Sequence, residues 1–359
     1  MITRDLRRAL ARAVAAAGFE AAAEPGLRPT GIPGQYAASV ALALGANTAN
    51  TANTANTASA IAAGLLAERW IARAEVTGPG YLTVTVTAES LAAVGDAVTA
   101  AGPACVTSDA LAGVTVPAAP PGDPLAAPTW EKARAALAAR LTAGLAAAAG
   151  ATVADPAGTE RNRLTLQAHA SSPGSPVAAA VSFAGRDAVT FTLARAVPGQ
   201  PLRPDKEIMA RRVPANPAYA VRYAHARAAS GVRWAVSSRG GDLPYSPPVA
   251  GGTGVPLREA TALPGPPADP GELALLDALS WLPERVAAAA RRGRPDEFAR
   301  YLEDLASVTI DGLSSARHQG SGPKSNRAPG SDRLTLAGAA RTGLAAGLGL
   351  LGVTAPDRL

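Results

Sequence analysis

Residues 215–235 read ANPAYAVRYAHARAASGVRWA, and their pattern sets the fold class of the whole chain. Asn216 is placed to cap a helix and Pro217 to fill its first turn, where a missing amide hydrogen removes no bond. Tyr219, Tyr223 and Arg227 follow at i, i+4 and i+8, stacked along one helical face. Two rings and a guanidinium in a row can stack an unpaired base and pair with its phosphate. From Arg211 through Arg239 there are six arginines and no acid. The same pattern also suits an ordinary bundle helix with tyrosines packed inward and arginines in water. His225, two residues from Tyr223, points elsewhere and reads as a hydrogen-bonded core histidine.

Downstream the pattern stays helical. Asp269 as cap, Pro270 at the first helical position and Glu272 at the third open a helix with Leu273, Leu276 and Leu279 on one face. Pro283 opens a helix closing near Gly293, Pro295 opens another through Phe298, Leu302 and Leu305, and Ser331 begins the last. Residues 317–330 form a basic Gly/Ser loop. The apolar stretch from Leu334 to Val353 has about the length of a membrane span. Arg341 interrupts it, and Leu344, Leu348 and Leu351 recur at helical intervals, so a buried amphipathic helix is expected and no membrane partner. Gly343 and Gly347 within it have G-x-x-x-G spacing.

The amino end reads differently. Ile2, Leu6, Leu10 and Val14 lie four apart on a helix that should cover a small sheet. Ala72–Val76 and Tyr81–Thr87 are the strand candidates, around a Gly78-Pro79-Gly80 turn. Between helix and strands, Asn47–Ala58 holds four tandem Asn-Thr-Ala copies, read as a loop or frayed helix end. Pro117–Pro128 reads as a linker, Thr129 caps a helix from Trp130 to about Ala149, and a less regular segment continues to about Gly185. A second linker runs from Gly240 to Pro270, and its Gly251-Gly252-Thr253-Gly254 lacks the strand-to-helix setting of a phosphate loop. The fold class expected is α+β multidomain and mostly helical. A small α/β domain occupies residues 1–112, a linker and short middle segment 113–184, and an all-α bundle 185–359.

Composition narrows the function classes. The 359 residues are 48% hydrophobic but only 4% aromatic, so the helices should pack through Ala, Leu and Val. The formal charge of +6 favours polyanions weakly, and arginine supplies nearly all of it, since the lysines are Lys132, Lys206 and Lys324. Cys105 is the single cysteine, so an internal disulfide is excluded. His169, His225 and His318 have no metal-site spacing, and neither a metal nor a cofactor is expected. Arg12 and Glu20 break the apolar run that a signal sequence beginning at Arg7-Arg8 would need, and a cytoplasmic location is expected.

Residues 216–227, NPAYAVRYAHAR, resemble the NPxYxVQYAHAR helix that opens the anticodon-binding domain of arginyl-tRNA synthetases. Gly185-Arg186-Asp187-Ala188, with Phe191 and Leu193, resembles the G-x-D-A-L-R segment from which this DALR domain is named, with Thr190 in place of the arginine. Residues 300–307, RYLEDLAS, and 350–359, LLGVTAPDRL, are similar to the family's NYLYDLAS and LLGIxAPERM. At the amino end, residues 34–42, GQYAASVAL, and 75–82, EVTGPGYL, resemble GDYASNVAL and VEVAGPGFI of the domain that holds the outer corner of tRNA. The resemblance covers roughly residues 1–95 and 185–359.

That resemblance implies a tRNA partner, arginine tRNA being the first candidate, with a synthetase as a second candidate partner. It implies an anticodon-base pocket at Tyr223 and Arg227. Leu359 stands where the family has methionine, which keeps apolar bulk and loses the adaptable thioether. Tyr219 and Arg222 complete the candidate RNA-binding set. Catalysis in this class uses an HIGH-type histidine pair for ATP phosphates and a KMSKS-type lysine loop. Here no two histidines are closer than 56 residues, no lysine sits in such a loop, and about 70 residues separate Thr115 from Gly185. No catalytic residue is therefore expected, and the chain reads as a non-catalytic synthetase paralogue. The alternatives are a protein-interaction scaffold whose RNA surface has drifted and, last, a residual arginine-tRNA ligase.

Overall fold

A computed structural model gives the architecture and describes residues 1–19, 25–45, 51–154, 174–240, 269–315 and 331–359. The glycine run at 251–254, the basic loop 317–330, and nearly all of the linker from Gly240 to Pro270 lie outside these residues. The fold is α+β and mostly helical, with a small sheet near the amino end and a helical carboxyl-terminal bundle.

Helix α1 (Ile2–Ala16) buries Ile2, Leu6, Leu10 and Val14, as their spacing predicts. Strands β1 (Arg28–Pro29), β2 (Gln35–Ala38), β3 (Ile71–Thr77) and β4 (Tyr81–Val86) form one antiparallel sheet in the order β1-β2-β4-β3. Leu82, Val84 and Val86 alternate into the core. The β3–β4 turn needs Gly80, at φ 126, where an added Cβ would also lie 2.7 Å from Thr54 Cγ2.

The Asn-Thr-Ala repeats depart from expectation. After α2 (Val40–Gly45), α3 runs Thr51–Leu65, so the repeats from Thr51 on are regular helix; residues 46–50 lie outside the description. Thr54, Thr57, Ala58, Ile61 and Leu65 are all buried. Spacings of three and four place them on one seam, which packs on α1 and β3. Tertiary burial overrides the weak helix propensity of Asn and Thr.

The middle segment also has more order than its prolines predict. After α4 (Ala88–Ala92) and α5 (Val94–Ala101), β5 (Thr115–Pro117) and β6 (Thr152–Ala154) pair in parallel, joined by α6 (Trp130–Ala148). Parallel pairing requires such a crossover. Thr129 caps α6, its Oγ1 accepting from the Lys132 amide at 3.3 Å. Among the described residues parallel pairing is confined to these two short strands.

Helices α7 (Pro176–Ala184), α8 (Arg186–Arg195), α9 (Lys206–Ala210), α10 (Pro217–Gly240), α11 (Pro270–Ser280), α12 (Leu282–Arg292), α13 (Pro295–Ser315) and α14 (Ser331–Leu350) follow. Asp269 caps α11 through the Gly271 amide at 2.7 Å. The deep positions of α11 are Leu275 and Leu279, while Leu273 and Leu276 pack at the margin. The predicted leucine face is thus turned by part of a helical step, because α13 covers one side of α11. The G-x-x-x-G pair lets α14 approach α11 and α13 closely: a Cβ on Gly343 would fall 2.7 Å from Leu279 Cδ2, and one on Gly347 2.5 Å from Leu302 Cδ2. No helix among the described residues is long and apolar enough to cross a membrane.

The two ends of the chain touch directly. Thr3 Oγ1 donates to the Ser280 carbonyl at 2.6 Å, the Gly34 amide donates to Asp277 Oδ1 at 3.0 Å, and the Tyr36 hydroxyl meets Ser280 Oγ at 3.0 Å. The rings of Tyr36 and Trp281 lie 5.4 Å apart. Glu284 accepts from Arg7 at 2.6 Å and from Arg291 at 3.2 Å. Buried side chains from both ends form one continuous apolar cluster.

Candidate nucleic-acid interface

Helix α10 begins on a buried cap. The Asn216 amide nitrogen donates to the carbonyls of Met209 (2.8 Å) and Arg211 (2.9 Å), and its oxygen accepts from the Tyr219 amide at 3.4 Å. These bonds fix the azimuth of the first turn, and with it the ring positions one and two turns on. Val221, Ala224 and Ala228 are buried, while Tyr219 is half-buried and Tyr223 is 42% exposed. The rings of Tyr219 and Tyr223 stack, with centroids 5.8 Å apart and planes 18° from parallel. Arg227 is half-buried one turn further on.

Arg222, one residue off the ring face, turns inward. Its Nη2 lies 3.4 Å from Asp187 Oδ2 and 3.5 Å from Thr354 Oγ1. Asp187 also accepts from the Thr354 amide at 3.2 Å and from the Thr354 hydroxyl. The aspartate of the Gly185–Ala188 segment therefore ties α8, α10 and the tail after α14 into one junction. A guanidinium held this way is poorly placed to take a phosphate as well.

The same tail is held at further points. His225 Nδ1 is 3.0 Å from the Pro356 carbonyl, Arg341 makes a two-pronged pair with the Asp357 carboxylate at 3.0 and 3.1 Å, and Arg233 donates to the Asp357 carbonyl at 3.0 Å. Leu359 is 47% exposed beyond these anchors, so it is accessible and does not close a pocket over itself. A cavity of about 790 Å³ lies between the tail, α14 and the turn at Gly102–Val106. Three of its polar wall groups, His225, Arg341 and Asp357, already bond to one another's segments.

His225 is 2% exposed, the hydrogen-bonded core histidine that the sequence predicts. Burial, aided by nearby Arg341, holds its pKa below the ordinary 6.5, with the Pro356 carbonyl and Asp357 opposing. The unfolded imidazole then binds a proton more readily than the folded one, so stability rises with pH through the interval between the folded pKa and about 6.5. Thermal melts should show a midpoint that falls as pH drops below about 6.5, and a flatter profile there for His225→Gln. Parallel profiles for both proteins would remove His225 as the cause.

The amino-terminal matches divide. Tyr36 is fully buried against Trp281 and serves packing, whereas Tyr81 is 44% exposed at the β3–β4 turn. Trp234, 70% exposed on α10, is absent from the predicted set, because it lies beyond the Tyr-Tyr-Arg spacing of four. Among the described residues no group of three or more His, Cys, Asp or Glu side chains has metal-site geometry.

Residues 221–359 match the family model of the DALR anticodon binding domain. About half of the chain is similar in sequence to arginine–tRNA ligases. It is 34% identical over 179 residues to the arginine–tRNA ligase of Frankia alni, covering 50% of this chain and 30% of that protein. Against the ligase of Moorella thermoacetica it is 34% identical over 175 residues, covering 49% and 28%. The solved Thermus thermophilus arginyl-tRNA synthetase overlaps 64% of this chain and 39% of its own, at 25% identity and a TM-score of 0.35. The chain thus spans less than a third of the length of the ligases that it matches in sequence.

Proposed function

We propose that this synthetase-like chain binds transfer RNA at its anticodon loop and does not aminoacylate it. One observation carries this reading: Tyr223, stacked on the half-buried Tyr219, stays accessible beside Arg227, and both Tyr223 and Arg227 lie in the region that matches an anticodon binding domain. A base can extend the ring stack while the guanidinium meets its phosphate. Arg222 supports the surface indirectly, by locking α10 to Asp187 and Thr354. Leu359 flanks the ligand as an exposed apolar group. Arginine tRNA is the first candidate, and an intact synthetase that supplies or receives the tRNA is the second partner.

The lack of catalysis rests on the sequence, which has neither a close histidine pair nor a lysine loop for ATP. Fluorescence anisotropy with an arginine-tRNA anticodon hairpin and with a plain duplex of equal charge tests the binding claim. Preference for the hairpin at physiological salt is expected; equal affinity for both would reduce the interaction to charge attraction. Arginine-dependent pyrophosphate exchange, assayed on the same preparation, should stay at background.

A further inference from the structure

The exposed face of α10 continues past Arg227. At 3.6 residues per turn, about 100° each, Tyr223, Arg227 and Trp234 sit roughly 40°, 80° and 60° around the helix from Tyr219. Ser230, at roughly 20°, is exposed as well, whereas Ala226 just outside this arc is buried. Trp234 therefore stands in line with the tyrosines, and at 70% exposure it contributes little to the core.

We infer that Trp234 is a second stacking platform for the same unpaired RNA strand, an inference that rests on the RNA-binding reading above. Eleven residues of helix place it about 16 Å along the axis from Tyr223. A stacked strand advances about 3.4 Å per nucleotide, so the two platforms are about five nucleotides apart. Charge favours a polyanion as the occupant: residues 211–239 hold six arginines and no acid, although two of the six, Arg211 and Arg222, pair with Glu207 and Asp187 from outside that stretch. Arg227 lies between the rings, and Arg233 beside Trp234 bonds a carbonyl oxygen rather than a carboxylate. Rings with interleaved cations suit single-stranded nucleic acid, since every base offers a π-face and every step a phosphate. An anticodon loop with its unpaired flank has the length to engage both ends.

The experiment uses the full chain and labelled oligouridylates of increasing length. Wild-type affinity should rise stepwise once the strand exceeds about five nucleotides, by roughly tenfold to a hundredfold for a gained stacking contact. Trp234→Ala should abolish that step and leave short-strand affinity unchanged, while Trp234→Phe, which keeps a ring, should retain most of it. Tryptophan fluorescence should be quenched by long strands in the wild type and much less in Trp234→Phe. A length step that survives in Trp234→Ala overturns the inference and leaves the RNA-binding reading standing. Equal weakening for short strands, long strands and duplex, together with a lowered melting temperature, also overturns it, by making Trp234 structural. If the wild type binds no RNA, both fall.

Discussion

Replacing Glu284 by alanine is expected to lower the unfolding free energy by about 3–5 kcal/mol, the range for removing one partner of a buried ion pair. The Glu284 side chain is 8% exposed and accepts from Arg7 and Arg291, themselves 12% and 24% exposed. Burial, then the charge of Arg7, push the Arg291 pKa down to about 10, so the two guanidinium groups already strain against each other. Without the carboxylate that repulsion remains in a site with little water. Arg12 and Glu68 make a comparably short contact of 2.5 Å, but Arg12 is 62% exposed. Glu68→Ala should therefore change stability by only about 0–1 kcal/mol.

Because Arg7 lies on α1 and Glu284 and Arg291 on α12, the loss falls on the contact between the two ends of the chain. Urea unfolding followed by far-ultraviolet circular dichroism and by tryptophan emission is the measurement. The wild type should unfold in one coincident transition, since Trp281 sits in the shared core. Glu284→Ala should shift the midpoint or split the two signals. An unfolding free energy within about 1 kcal/mol of wild type would mean that the triad is hydrated and contributes little.

Tyr223→Ala is expected to weaken binding to the anticodon hairpin roughly tenfold to a hundredfold, corresponding to about 1–3 kcal/mol for one stacked base. The ring is 42% exposed and stacks on Tyr219, so the melting temperature should change little. Arg227→Ala should weaken the same complex and reduce its salt dependence by about one phosphate contact. Preference for hairpin over duplex should disappear in both. Arg222→Ala should behave oppositely, destabilising the fold first, because it breaks the junction with Asp187 and Thr354. Should Tyr223→Ala lower thermal stability and weaken hairpin and duplex alike, the tyrosine is a packing residue and the pocket proposal would fall.

What the sequence determined by itself was local. The four-residue spacing of Ile2 to Val14, the glycine turn between β3 and β4, the Asn216, Asp269 and Thr129 caps and the Tyr219–Tyr223 stack each depend on groups within a few residues of one another. Chain geometry fixes such relations before any neighbour arrives. What only the tertiary structure decided was which face meets which. Thr54 and Thr57 of the Asn-Thr-Ala repeat became helical because the contact of α3 with α1 and β3 buries them, and the β5–α6–β6 unit needed a strand pairing between residues 115–117 and 152–154. Tyr36 and Glu284 look like ordinary surface polar groups in the sequence, yet partners some 240 to 280 residues away bury them. Arg222 and Arg227 are both helix arginines in one motif; Asp187 and Thr354 claim the first and leave the second on the ring face, and no spacing within α10 encodes where those distant acceptors will lie.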